Sequence, residues 1–417
     1  MLFTMNKLHI YCAICFLLII QKGLSQNNSN NLSSSPYSLY GLGLSNEIST
    51  GKTNSLGKSG LAMPFNSSIN NLNPASYGSI PLNSFLLDIG VKAEKESLSE
   101  DGKQETRFNA NFSNVAIAFP ISNNSGFGFT LIPFTNVGYV IQGIETGIEG
   151  STETFLSNIS GSGGLNDIKL NYGYSINEKL RFGLGASFLF GKIKEEETNF
   201  IDTEIININE DNFYNGFRLT TGFQYDLNNT LSLGGIVNLP TKLNGDQTKT
   251  VTSIGGFNLE ETEIDIDTFK LPLEIGLGIH SKFNDQLFFN IDYKKSFWGA
   301  TNQSDLIGDY VDQDFIGLGA EYTPRKNDLK YWKKINYRAG INFDSGNLSI
   351  DTNRINNFAF NLGLGLPIGA RQNSRLNLGY SYGQKGLVSN GLIKENYHTL
   401  TLNFSLEDLW FVKRKYN

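Results

Sequence analysis

Few residues in this chain can do acid–base or covalent chemistry. Its three histidines are His9, His280 and His398. Covalent catalysis needs a nucleophile beside a positioned base. No Ser/Asp spacing around His280 stands out, and His398 alternates away from its neighbouring polar set. Both read as rim residues, so no enzyme is expected. Glu195-Glu196-Glu197 and the run from Glu260 to Asp267 are acidic clusters. They read as solvated loop faces, with oxygen-ligated Ca²⁺ as the alternative. Ser162-Gly163-Gly164 reads as a loop, because the lysine and flanking helix of a phosphate loop are missing. No cofactor and no metal are expected.

The first 25 residues explain the cysteines. Lys7 precedes an apolar run from Leu8 to Ile20, and Gly23-Leu24-Ser25 supplies small residues for cleavage. This is a secretory signal peptide over 1–25. Cys12 and Cys15 both lie inside it, so the mature chain carries no thiol for disulfides, thiolate catalysis or thiolate zinc. Removing Lys7 and Lys22 leaves 32 basic against 40 acidic residues, and nucleic acid is not an expected partner.

The remaining chain has the composition of a sheet. Gly is 44 of 417 residues, Phe and Tyr are 30 and 18, and mean hydropathy is -0.23. No later apolar run reaches the ~20 residues of a helical span. Apolar and polar residues instead alternate with a period of two. Phe182, Leu184, Ala186 and Phe188 alternate with Gly183, Gly185 and Ser187. Phe358, Phe360 and Leu362 alternate with Ala359, Asn361 and Gly363, and Leu400, Leu402 and Phe404 with Thr401 and Asn403. One face is bulky and apolar; the other is Gly, Ser, Asn and Thr with few charges. A transmembrane barrel has this inverted pattern. A secreted sandwich or propeller is the alternative, but its outer face usually carries more Lys and Glu.

Fourteen strands can be laid out: 83–98, 104–121, 125–142, 163–176, 179–194, 212–227, 230–243, 268–283, 286–298, 310–323, 334–344, 356–368, 374–386 and 395–406. Short links (122–125, 177–178, 228–229, 284–285) mostly alternate with long ones (143–161, 194–211, 243–267, 300–309). Short periplasmic turns and longer outer loops are the pattern of outer-membrane barrels, and an even strand number places both ends on the periplasmic side. The expected fold is all-β: a 14-stranded antiparallel transmembrane barrel with an N-terminal plug. The expected organisation is a linker over 26–36, a plug over 37–82, a barrel over 83–406 and a periplasmic tail over 407–417. The plug segment holds Leu56, Leu61, Met63 and Phe65 among Gly and Asn. It is too apolar to float and too short to form a domain, and a 14-strand lumen has room for it. The Gly-rich inward positions would leave space; barrel curvature explains them equally well.

Asn73-Pro74-Ala75 ahead of a β-rich chain, with Leu271-Pro272-Leu273-Glu274-Ile275-Gly276-Leu277-Gly278, Tyr337-Arg338-Ala339-Gly340 and Leu362-Gly363-Leu364-Gly365-Leu366-Pro367, resembles the FadL/TodX-like long-chain fatty-acid transporter family. The tail Trp410-Phe411-Val412-Lys413-Arg414-Lys415 looks like that of Bacteroidota members. The resemblance implies an outer-membrane barrel in contact with lipid. It also implies that hydrophobic small molecules, fatty acids among them, enter from outside, bind in the lumen and leave sideways through the wall.

On that resemblance Asn73, Pro74 and Ala75 are the hatch turn, with an ordinary Asn-Pro turn as the alternative. Family members kink their third strand. Here Pro133, Asn136 and Gly138 are the lateral-opening candidates, against a simple bulge near the rim. Leu61, Met63 and Phe65 would line a greasy site, or merely pack the plug. Arg181 and Arg338 would pair a carboxylate head group, or a neighbouring carboxylate of the chain. Relatives of the same fold also act in protein secretion, so a non-transporting partner in an outer-membrane secretion complex is the competing function.

Overall fold

The computed structural model describes residues 35–409 apart from 47–49, 65–67, 101, 148–149, 151, 203, 254–256, 306–307, 326–327, 370–372 and 389–391. The expected signal peptide, most of the expected linker, Phe65 and the end of the expected tail lie outside the described residues.

The wall is a closed antiparallel barrel of 14 strands. They are β1 Ser84–Glu100, β2 Lys103–Ser122, β3 in two arms (Ser125–Pro133 and Thr135–Gly147), β4 Thr154–Ser175, β5 Leu180–Ile201 and β6 Glu204–Asp226. Next come β7 in two arms (Leu231–Asn238 and Thr241–Ser253), β8 in two arms (Asn258–Leu271 and Glu274–Lys282), β9 Leu287–Ser296 and β10 Gln313–Tyr322. Then follow β11 Asn336–Asp344, β12 Asn357–Ile368, β13 Ser374–Lys385 and β14 Lys394–Leu409. Pairing of β1 with β14, from Ser84↔Leu409 to Ser99↔Lys394, closes the cylinder.

The alternation explains which face is which. Leu184, Phe217, Leu277, Phe289, Leu362 and Leu400 are exposed on the outside. Asn114, Asn171, Asn290, Asn361 and Asn403 are buried inside. This is a membrane barrel's inversion, with lipid as the solvent of the outer face. Tight turns share the end that holds Ser84 and Leu409. In three of them an asparagine side chain accepts from backbone N–H groups two and three residues on: Asn177, Asn228 and Asn284.

The opposite mouth differs from expectation. Most of the supposed long links are strand, because β4 to β8 continue past the lipid band as paired hairpins. Lys194↔Asp211 and Glu195↔Glu210 pair across β5 and β6, and Thr248↔Glu263 across β7 and β8. Both acidic clusters therefore lie on strands. Ser162-Gly163-Gly164 is likewise inside β4 and not a loop. Both faces are solvated, and the apolar alternation is short there, as at Ile206/Ile208 and Ile264/Ile266 amid Asn, Asp and Glu. Three short strands, Gly308–Tyr310, Leu348–Ile350 and Asn353–Arg354, form a separate small sheet at this mouth.

The segment before β1 lies inside the wall. Three short 3₁₀ turns (Pro36–Leu39, Thr53–Ser55 and Pro74–Ser79) and a two-residue strand, Leu44–Ser45, make up its regular structure. Its first described residues sit at the mouth opposite Ser84. The Ser35 hydroxyl bonds to Glu395, and Tyr37 donates to the Ile393 carbonyl at 2.7 Å. Tyr37 packs with Leu348, Ile350, Ile355 and Leu392. The plug thus runs from that mouth down to the floor before β1 begins, which an even strand count does not foretell.

Candidate functional site

The floor of the plug is fixed by backbone lying flat on the wall. Asn73 is extended and starts the turn Pro74–Ser79, with Pro74 at the first position, where its missing N–H costs nothing. The Asn73 side chain accepts from Ala75 N at 3.0 Å and donates to the carbonyls of Leu61 (2.9 Å), Phe223 (2.9 Å) and Gly235 (3.3 Å). Gly183 and Gly222 face this turn, and a Cβ on Gly183 would collide with the backbone of Pro74 and Ala75. The inward glycines seat the plug. Asp292 accepts from Gly60 N at 2.6 Å and Leu61 N at 2.9 Å, and Gln224 donates to the carbonyls of Leu61 and Met63. Sequence reasoning missed both residues; polar side chains at inward strand positions were the signal. Leu61 and Met63 are buried in plug–wall packing, and Leu61 also borders a cavity described below.

The wall changes at the third strand. The lower arm of β3 pairs with β2 from Val115↔Leu131 to Ser122↔Ser125, and with β4 up to Pro133↔Asn166. The upper arm stays on β4, starting at Val137↔Gly163, with the register moved by one residue. It has no pairing with β2 among the described residues. The extra residue lies on β3, between Pro133 and Val137, opposite Gly163 and Gly164 at φ +108° and +140°. Phe134 N donates to Leu165 O, and Leu165 N to the Thr135 hydroxyl, so the β4 side stays closed. On the β2 side a seam is left. The plug reaches its lower end: Leu44↔Asn136 and Ser45↔Thr135 pair antiparallel, Asn46 N donates to Phe134 O, Asn46 Nδ2 to Pro133 O, and Gly138 N to the Ser38 hydroxyl. Pro133, Asn136 and Gly138 are therefore brought together around the seam's lower end.

Two cavities of about 240 and 160 Å³ lie inside, next to the seam. Both are bordered by Ser45, Asn46, Lys58, Phe134, Leu271 and Trp298. The larger has an aromatic side (Tyr40, Phe134, Phe269, Trp298, Tyr310) and a charged one (Lys58, Lys92, Glu94, Glu96). Trp298 stacks on Tyr310 with ring centres 5.3 Å apart. The smaller holds Asp167, Lys169, Arg218, Glu274 and Lys294. Both cavities are mixed in character.

The other candidates fall elsewhere. Arg181 is held by Asp226 at 2.8 and 2.9 Å, and Arg338 by Glu321 at 2.7 Å and Asn377 at 2.7 Å. Neither borders the two cavities, so carboxylates of the chain itself satisfy both guanidinium groups. His280 is not a solvated rim residue. It is buried inside the barrel against Asn290 (2.7 Å) and Phe288. His398 meets Tyr380 on the outer side. The two histidines are thus on opposite faces of the wall.

With this architecture in hand, a family model described as BamG matches residues 5–417. The chain belongs to the BamG family. Comparison with solved structures places the chain's fold among FadL/TodX-like barrels. The Pseudomonas putida toluene transporter TodX aligns with a TM-score of 0.61 at 15% identity, over 88% of this chain and 100% of that one. A monoaromatic hydrocarbon channel, CymD, aligns with a TM-score of 0.56 at 16% identity, over 87% and 98%. A FadL homologue of Pseudomonas aeruginosa gives 0.55 at 14% identity, over 87% and 99%. At these identities the likeness is one of fold: an outer-membrane barrel. No curated protein sequence matches the chain.

Proposed function

We propose that this barrel passes hydrophobic small molecules across the outer leaflet, from the outer mouth into the lumen and sideways through the seam. The observation that carries this reading is the unpaired stretch between β2 and the upper arm of β3, beside a cavity with an aromatic side. A hydrophobic ligand needs an apolar lining and a few polar anchors. Tyr40, Phe134, Phe269 and Trp298 supply the lining. A long-chain fatty acid would set its carboxylate toward Lys58 and Lys92. The Asn73-Pro74-Ala75 turn is the hatch that shuts the floor, and the tight-turn end faces the periplasm. The similar structures named for toluene and monoaromatic hydrocarbon transport lend support through shared fold.

The test is uptake of labelled oleate and toluene by cells lacking the gene, with it restored, and with Asn136→Trp restored. Asn136 is buried and borders the larger cavity, so the bulky ring would fill the path. Restoration by the natural chain and loss with the variant is the expected result, with the heat-dependent gel shift of a folded barrel retained. Unchanged uptake of both compounds on deletion would remove the reading. A second reading, a non-transporting partner in outer-membrane protein secretion, is favoured by the charged side of the cavity, where Lys92, Glu94 and Glu96 stand at the seam.

A further inference from the structure

The smaller cavity carries charges that the proposed passage leaves unused. A polar row lines it. Lys169, Ser187 and Arg218 pair side by side on β4, β5 and β6, and Thr220, Asn238 and Glu274 continue on β6, β7 and β8. Most of this row satisfies itself. Glu274 accepts from Asn238 Nδ2 at 2.6 Å and from the Ser296 hydroxyl at 2.9 Å, and Thr220 donates to Asn238 at 2.6 Å. Arg218 gives Nε and Nη2 to the carbonyls of Leu239 and Pro272, and Glu274 offsets its charge. Asp292 keeps one oxygen without a partner, but the other takes the two plug N–H groups of Gly60 and Leu61.

Two groups of opposite sign remain. Asp167 is 7% exposed and borders the cavity. Its Oδ2 accepts from the Ser187 hydroxyl at 3.1 Å, and its Oδ1 is buried with no hydrogen-bond partner. Lys169 lies two residues on, on the same face of β4. It forms no hydrogen bond or salt bridge among the described residues. Its side chain lies over Gly185, where a Cβ would come within 2.6 Å of Cε, so the missing side chain gives the lysine its room. Charges taken out of bulk water need partners, yet these two stand side by side without closing on each other. A lone anion would serve Lys169 and leave Asp167 bare; a lone cation would do the reverse. The partner that serves both carries both signs.

We propose that the smaller cavity binds a zwitterion that joins a primary ammonium to a phosphate or carboxylate, the chemistry of a phosphoethanolamine head. The anion meets Lys169 and Nη1 of Arg218, which makes no hydrogen bond among the described residues. The ammonium donates to Asp167 Oδ1. A trimethylammonium head has no N–H and cannot serve that oxygen. The cavity shares Phe134, Leu271 and Trp298 with the larger one, so a chain on the head would run past them onto the aromatic side beyond. This head differs from that of the fatty acid considered above, whose carboxylate is set toward Lys58 and Lys92. The site is one of binding and holds whether or not anything leaves through the seam.

The test is calorimetric titration of the full chain in dodecyl maltoside. The probes are free phosphoethanolamine, decanoyl lysophosphatidylethanolamine, its phosphocholine counterpart and decanoate. The ethanolamine lipid should bind at least tenfold more tightly than the choline lipid and than decanoate. Free phosphoethanolamine binding as tightly as the lipid would support the site with a soluble zwitterion as its occupant; weaker binding would support it with a lipid there. Asp167→Asn should bring the ethanolamine and choline lipids within twofold of each other. Lys169→Met should weaken both at least fivefold, since the anion is common to them. Glu178→Gln, at a tight turn, should change neither, and all three variants should keep the folded-barrel gel shift. No binding of either ethanolamine probe, equal binding of the two lipids, tighter binding of decanoate, or an ethanolamine preference that survives Asp167→Asn would overturn the proposal. The first three outcomes are read on the natural chain and do not depend on a variant folding. Oleate and toluene uptake reports on passage separately, so either reading can fail alone.

Discussion

The wall is interrupted in two regions, and only one interruption is stitched. At the first, β3 breaks at Phe134 and its upper arm leaves β2. At the second, β7 breaks before Thr241 and β8 breaks at Pro272 and Leu273, with Pro240 beside them. Here the ladder runs through: Thr241↔Leu271 above and Asn238↔Glu274 below share one register. Arg218 on β6 donates to the carbonyls of Leu239 (3.2 Å) and Pro272 (2.8 Å), and the Thr241 hydroxyl donates to Phe217 O. A guanidinium supplies the donors that two prolines cannot. Proline by itself therefore does not open a barrel wall. What opens it is the departure of a neighbouring strand, and what closes it is a side chain placed to serve the orphaned carbonyls.

Four substitutions sharpen that contrast, each measured by urea unfolding of the detergent-solubilised chain. Arg218→Ala should have the largest effect, a loss of about 3 kcal/mol, because two main-chain carbonyls lose a charged donor. It should also raise ion leak in planar bilayers; unchanged leak would show that the second break is sealed by its register alone. Gly164→Ala should cost about 2 kcal/mol, since φ +140° disfavours a side chain and its Cβ would strike the Thr135 carbonyl. Asn46→Ala should cost about 1 kcal/mol by freeing the plug from the Pro133 carbonyl. Pro133→Ala should change stability by less than about 0.5 kcal/mol. A rise in stability well beyond that would mean that the proline, and not the departure of β2, makes the seam.

The lipid-facing strands were legible because bulky apolar residues alternate with Gly, Asn and Ser, as at Phe358 to Leu364. Their upward extensions were not, because Glu195–Asp211 and Asp246–Asp265 pair in solvent and their apolar alternation is short and set among Glu, Asp and Asn. Pro133 pointed to the right strand but not to the cause, which lies in the lost pairing with β2 and in the residue that β3 gains opposite Gly163-Gly164. Asn73 was legible as a turn former, while its contacts to Phe223 and Gly235 depend on pairs 150 and 162 positions apart. Arg181 and Arg338 looked available because sequence hides their carboxylates on neighbouring strands. Arg218 carried no signal of its own, since its acceptors are carbonyls that only the fold leaves bare.

The placement of Ser35 beside Glu395, 360 positions away, bears on how the molecule comes to exist. A plug that fills the floor and also reaches the far mouth cannot be threaded into a cylinder already shut. The ladder that closes the wall, β1 with β14, joins residues from its two ends. Such distant pairing is slow, because loop closure must precede the contacts that reward it. The described segment before β1 therefore acts as a mandrel: it must be in place while the cylinder is still an open sheet, and the wall is wrapped around it.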